Sequence, residues 1–341
     1  KSSDYDILLI PGIDVIPYSK AGALEPLDDM FKEKNWDLND IYESTKYYMK
    51  GANDKYYGVP LSAAPMILFY RKDIFEQESL KVPTTFDEFY DTAKKLTKGD
   101  MFGAVVPTGP NEASSSFWSY FLWSHGGDYF DKNWKPTFNN EDGLAALNMW
   151  VKLAKEVYPK GAVNWQNEET VDSFLKGKTA MMIMWPSYVS MANDKEKSQV
   201  VGKVGYAPVP GGKGGSIPRF GAWYSSVLSA GKNKKEAREF VSFYAKEEAK
   251  YKMLSSGNPT AWKSINKSEK AKGMNPAMDT LDKSIDKAKE RPPIPEIPEI
   301  ITLMGNIING VATGQYEPKK GLDDAAKQVE DILNKAGYYK K

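Results

Sequence analysis

The sequence predicts an α/β protein built as two lobes. Short apolar runs of strand length alternate with longer amphipathic stretches, the pattern of sheets flanked by helices. The chain has 341 residues, more than one ordinary core organises, so two bodies are expected. Gly/Pro-rich stretches near 58–65, 210–222 and 257–262 mark three places where the chain passes between them. The expected division is a first lobe of residues 1–65 and 221–257 and a second lobe of residues 66–220 and 258–341. No short fixed-period repeat is present, which argues against a solenoid.

The elements follow in order. "YDILLIPG" reads as a buried strand ended by Pro11-Gly12. "DVIPYSKAGALEPLDDMFKEK" gives a helix, a turn at Gly22 and an acidic segment. "YYGVPLSAA" and "MILFYRKD" are two apolar runs, the second closed by a charged turn. "VPTTFDEFYDTAKKLTKG" is a helix that Thr84 or Thr85 can cap, with Asp87 and Glu88 in its first turn and Gly99 past its end. "MFGAVVPTG" reads as a strand, and "SSSFWSYFLWSHGG" as an aromatic helix closed by Gly126 and Gly127. "NEDGLAALNMWVKLAKEVYP" is an amphipathic helix stopped at Pro159, with Trp150 at helical spacing from Leu147 and Leu153. "TVDSFLKGKTAMMIMW" gives a helix, Gly177 and a buried strand. "VGKVGYAPVPGGKGGSIPRF" is a strand and a Gly/Pro-rich loop, followed by "FGAWYSSVLSAG" and a helix from "NKKEAREF". The tail holds three helical stretches, with "RPPIPEIPEI" between the first two.

Composition removes several functions. Net charge is +1, from 46 basic and 45 acidic residues, whereas a nucleic-acid binder normally carries a basic surplus. The Lys runs "KGK" and "GKNKK" are interleaved with acids and read as solvated surface. There is no cysteine, which excludes disulfides, zinc–thiolate sites and thiol nucleophiles. One histidine, His125, leaves no His–His metal site, and its place before a glycine pair reads as a helix C-terminal cap. No apolar run is long enough to span a bilayer. The nucleophile-elbow, zincin and Walker patterns are absent. "GGKGG" lacks the strand-to-helix context of a phosphate loop and reads as a connector. Carboxylate pairs such as Asp28/Asp29 and Asp323/Asp324 lie at polar helix ends, where nothing marks a glycosidase pair. Neither metal nor cofactor is expected.

Binding signals are stronger. The chain holds 9 Trp, 20 Tyr and 14 Phe. A neutral sugar presents C–H faces that suit aromatic rings and rim hydroxyls that suit fixed donors and acceptors. Rings beside small residues, at strand ends or helix starts, are the candidates. They are Trp118 after "SSS", Trp185 before Pro186, and Trp223 and Tyr224 after Gly221-Ala222. For each ring the choice is core or ligand. In an extended segment Tyr224 points away from Trp223, which favours core for the tyrosine.

The order of segments resembles the extracellular solute-binding proteins of carbohydrate ABC importers, the maltose-binding-protein-like family. The resemblance runs nearly end to end. Its motifs are "YDILLIPGIDVIPYSKAGALEPLDD", "YYGVPLSAAPMILFYRKDIF", "PTTFDEFYDTAKKLTK", "GGDYFD" with "LNMWVKL", "FLKGKTAMMIMWPSYV", "GNPTAWKS" with "RPPIPEI", and "GVATGQYEPKKGLDDAAKQVEDIL". It implies a two-lobed periplasmic-binding-protein type II fold with a hinge and an interlobe ligand cleft. It also implies an initial strand and long helix in the first lobe that are absent from this sequence. Without that strand a buried sheet edge would be exposed, so the segment is expected in the natural protein.

By position, the resemblance makes Asp14 a hydroxyl acceptor and Trp185 a ring platform. Gly221 and Trp223 match a "GGW" motif in which Ala222 replaces the second glycine. Arg291 matches an Arg that bonds sugar oxygens. Ser62 and Ala64 stand where acidic or aromatic ligand groups are common, which leaves room for a larger ligand. With Trp118 these complete the candidate set. The implied function is a non-enzymatic receptor that delivers a sugar or oligosaccharide to an ABC permease. It would be extracytoplasmic, a monomer, with no nucleic-acid partner and no membrane contact beyond a lipoprotein anchor. The alternatives are a carbohydrate hydrolase, or a receptor for a polyamine, metal chelate or peptide.

Overall fold

The computed structural model describes residues 4–339. Among the described residues eight strands run in chain order: β1 (Ile7–Pro11), β2 (Val59–Pro60), β3 (Ala64–Pro65), β4 (Ile67–Arg71), β5 (Met181–Met184), β6 (Val204–Ala207), β7 (Phe220–Gly221) and β8 (Trp223–Val227). The chain forms two units. The first comprises the chain up to Pro65, Trp185–Ser190 and Phe220–Pro295; the second comprises Met66–Met184, Met191–Arg219 and the chain from Glu296 on.

In the first unit β8 is central, with antiparallel partners β1 and β2 on its two sides. A separate antiparallel ribbon joins β3 to β7, pairing Ala64 with Gly221. Helices cover the sheet and share one core, in which Ile10, Leu24, Ile41, Val59, Tyr224 and Val227 pack together. Trp262, Ile265, Ala271, Met278 and Ile285 belong to this same core. This corrects the expected division: residues 258–295 pack with the first unit, not the second. The helices Lys263–Asn266, Glu269–Met274 and Met278–Ile285 turn their apolar sides to the first core, and the chain departs only at the Pro-rich stretch after Arg291. Residues 185–190 also belong here: Pro186 and Ser187 carbonyls crowd Gly257, where an added Cβ would lie 2.9 and 3.0 Å from them.

In the second unit β4 is central between antiparallel partners β5 and β6. The segment read as a strand from "MFGAVVPTG" forms only isolated bridges: Phe102 with Thr179 and Val105 with Met182, both parallel, and Met101 with Lys98, antiparallel. Thr85 caps the helix Phe86–Leu96 in a full capping box with Glu88, the arrangement its sequence spacing predicts. "GGKGG" forms a tight turn in which Gly212 bridges Gly215. The helices Glu112–Ser124, Glu141–Glu156, Ile297–Ala312 and Pro318–Lys335 enclose an aromatic core. Among the described residues, no helix is long and apolar enough to cross a membrane.

Candidate ligand-binding site

Seven of the eight candidate residues lie in the first unit, on segments far apart in sequence. Main-chain hydrogen bonds bring them together. The Gly12 amide donates to the Ala222 carbonyl at 2.9 Å and the Leu61 amide to the Trp223 carbonyl at 2.8 Å. The Ala63 amide donates to Pro259 at 3.1 Å and the Phe220 amide to Lys289 at 2.7 Å. These bonds fix residues 11–14, 61–64, 220–223 and 289–291 against one another before any side chain is considered.

The alternation along β8 decides the roles of its two rings. Trp223 is 49% exposed, a large apolar surface left in water. Tyr224 points inward and is fully buried. Its hydroxyl donates to the Thr45 carbonyl at 2.8 Å, and burial pushes its phenol well above the usual tyrosine range. Its ring fits because Gly12 and Gly58 have no side chains: an added Cβ would stand 2.8 and 3.1 Å from ring carbons.

Gly221 serves a second ring in the same way. Its backbone φ is not in the left-handed region, so conformational freedom is not the reason for glycine. A Cβ at Gly221 would lie 2.7, 3.2 and 3.3 Å from three carbons of the Trp185 six-membered ring. The indole, partly exposed, thus rests directly on the Gly221 backbone.

Charge lies nearby. Asp14 sits in the first turn of the helix Gly12–Lys20 and is partly buried. Desolvation raises its carboxyl above the ordinary range; Arg291 opposes that shift and Glu290 adds to it. Arg291 is 3% exposed, and its Nε donates to Glu290 Oε1 at 3.1 Å. The same oxygen accepts the Arg291 main-chain N–H at 2.7 Å. Ser62 and Ala64 are buried small residues, Ala64 within β3 opposite Gly221.

Trp118 stands apart. It is completely buried in the second unit and meets Tyr129 and Phe138 edge-on at 6.4 Å. A fully covered ring offers a ligand no face, so the structure corrects its assignment: Trp118 is core. The serines before it are also buried, in the interior of their helix rather than at a ligand-facing start.

The family model for "Bacterial extracellular solute-binding protein" matches residues 1–251. The chain belongs to that family. A solute-binding protein of this kind works outside the cytoplasm and is not a catalyst. One curated relative is a probable amino-acid ABC transporter periplasmic-binding protein from Sinorhizobium fredii, 25% identical over 293 residues, covering 85% of this chain and 67% of the relative. A solute-binding protein from Agrobacterium radiobacter K84 in complex with ribitol superposes with a TM-score of 0.87 at 27% identity, covering 96% of this chain and 85% of that one. The maltose-bound T. maritima MalE3 superposes with a TM-score of 0.89 at 26% identity, covering 97% and 85%. The two-lobed periplasmic-binding-protein fold follows from these matches.

For this solute-binding protein, sequence reasoning missed two groups. Glu290 holds Arg291, and "ERPP" carried the signal, since a carboxylate directly before a buried Arg is a natural partner. Tyr48 stacks on Phe220 at 6.1 Å and borders Gly12, but nothing in its helix marks it out from Tyr47 beside it. His125 sits at the end of the helix Glu112–Ser124, its Nδ1 2.8 Å from the Phe121 carbonyl and its ring stacked on Phe86 at 4.5 Å.

Proposed function

We propose that this solute-binding protein captures a sugar or polyol and passes it to the permease of an ABC importer. Asp14, Ser62, Ala64, Trp185, Gly221, Trp223 and Arg291 form the ligand-contacting face of the first unit. The observation that carries this reading is the set of three features held there by main-chain bonds. Trp223 is exposed, Trp185 is seated on Gly221, and Asp14 and Arg291 are of opposite charge. Rings suit the C–H faces of a hydroxylated ligand, while a carboxylate and a guanidinium accept from and donate to its hydroxyls. The ribitol and maltose complexes of two fold relatives support the ligand class.

A second reading is an amino-acid receptor, favoured by the name of the Sinorhizobium relative and by the presence of one acidic and one basic group, Asp14 and Arg291, at the site. One experiment separates them. Thermal-shift screening and calorimetry against sugars, polyols and amino acids should raise the melting temperature for the first two classes, because a ligand that binds only the folded form stabilises it. Stabilisation by amino acids alone would overturn the sugar reading.

A further inference from the structure

We propose that Gly221 is a positioning residue that sets the depth of the Trp185 ring, and that this makes the site prefer ringed sugars to open-chain polyols. The inference rests on the sugar-or-polyol reading for its ligands and on the packing of Gly221 for its mechanism.

Three carbons of one indole, Cζ3, Cε3 and Cη2, all fall within 3.3 Å of the point where a Gly221 side chain would begin. Carbon atoms in favourable contact sit ~3.5–4.0 Å apart. One added methyl therefore moves the ring by several tenths of an ångström or more. The backbone cannot give way easily. Gly221 pairs with Ala64 across the β3–β7 ribbon, and the residues on either side are tied by the Phe220–Lys289 and Gly12–Ala222 bonds. The tryptophan side chain is the partner that yields, so the cost of a larger residue at 221 is transmitted to Trp185.

Seating the ring fixes it before ligand arrives. A pre-fixed ring loses less rotamer freedom on binding than a mobile one. The ligand gains from this only if it presents a flat, rigid face to stack. A pyranose does; an open-chain polyol bends and contacts the ring through one or two carbons at a time. Gly221 thereby acts on selectivity through Trp185, with no side chain of its own to place on the ligand.

The test is a double-mutant cycle with Gly221→Ala, Trp185→Ala and the double variant. Binding of maltose and of ribitol is measured by calorimetry, and melting temperature is measured without ligand. In the wild-type background Gly221→Ala should weaken maltose about tenfold or more and ribitol less than about threefold, the selectivity expected of a ring contact. In the Trp185→Ala background the same change should cost less than about twofold, since effects that pass through a missing partner vanish. Without ligand, the drop in melting temperature caused by Gly221→Ala should likewise disappear once Trp185 is Ala.

Equal losses in both backgrounds overturn the positioning role. Equal losses for maltose and ribitol overturn the selectivity. A wild-type protein that binds neither of these nor any sugar or polyol of the thermal-shift panel overturns the sugar-or-polyol reading and the selectivity with it, while the ligand-free cycle still decides whether Gly221 seats Trp185.

Discussion

Replacing Trp223 by Ala should weaken ligand binding about tenfold and leave the fold intact. The magnitude follows from its exposure. A tryptophan side chain presents at most about 250 Å², and 49% of this residue is accessible, leaving roughly 120 Å² for contact. A stacked sugar covers one side of that, about 60 Å². At ~25 cal/mol per Å² this is about 1.5 kcal/mol, a factor of about ten in Kd. Stability should change little, because the side chain makes no hydrogen bond and half of it is already in water; exposed substitutions usually fall within about 0.5 kcal/mol. The strand itself is secured by main-chain pairing of Trp223 with Pro11 and by its carbonyl on Leu61, which Ala keeps. Calorimetry with the tightest sugar or polyol from the screen, alongside a melting curve, is the assay. An affinity within twofold of wild type at an unchanged melting temperature refutes the assignment. A large fall in melting temperature would show that Trp223 is structural.

Other outcomes follow from the same geometry. Trp118→Ala should cost ~3–5 kcal/mol of stability in urea unfolding, as for a large ring deleted from a packed core, while the protein that remains folded binds ligand with wild-type affinity. Tyr224→Phe should cost ~1–3 kcal/mol, since it strips the Thr45 carbonyl of its buried donor; denaturant midpoints would show it. Asp14→Asn should raise the melting temperature at pH 7 and not at pH 3. Burial raises the Asp14 carboxyl above its unfolded value, so its stability contribution is greatest when protonated and is lost as pH rises through the folded pKa. The same variant should bind ligand about tenfold more weakly, the scale of one hydrogen bond to a charged acceptor.

Much of the fold was legible from local signals. The capping box at Thr85 and Glu88, the alternation that separates Trp223 from Tyr224 and the stop at Pro159 are short-range physics, complete within a few residues. The lobe division was legible only at its crossings. Helices 263–285 carry no local mark of the core they join, because an amphipathic helix declares that it has a buried side and not what buries it. Trp118 was misjudged for a related reason. Small residues before a ring are compatible with ligand approach and with tight helix packing, and only the neighbours Tyr129 and Phe138 decide between them. Glycines were legible as turns or as close approaches in general. That Gly221 makes room for a tryptophan 36 positions earlier is a long-range fact no window contains.

The charges of the proposed site favour a neutral hydroxylated ligand for a physical reason. Glu290 and Arg291 are both nearly buried and joined through Nε, so the guanidinium already has a counter-charge within its own segment. Breaking such a pair leaves an uncompensated buried charge, which typically costs ~3–5 kcal/mol. An incoming carboxylate would have to share Arg291 with Glu290, and an incoming ammonium would meet Arg291 as a like charge beside Asp14. A hydroxyl makes neither demand. It accepts from the guanidinium without displacing Glu290 and donates to Asp14 without requiring a full counter-ion. Arg291→Lys should therefore weaken binding and stability together, because a lysine ammonium cannot reproduce the Nε contact that holds the group in place. If Arg291→Lys bound sugars as tightly as the wild type, with an unchanged melting temperature, the Glu290–Arg291 pair would have no part in recognition and the preference for neutral ligands would have to come from the rings alone.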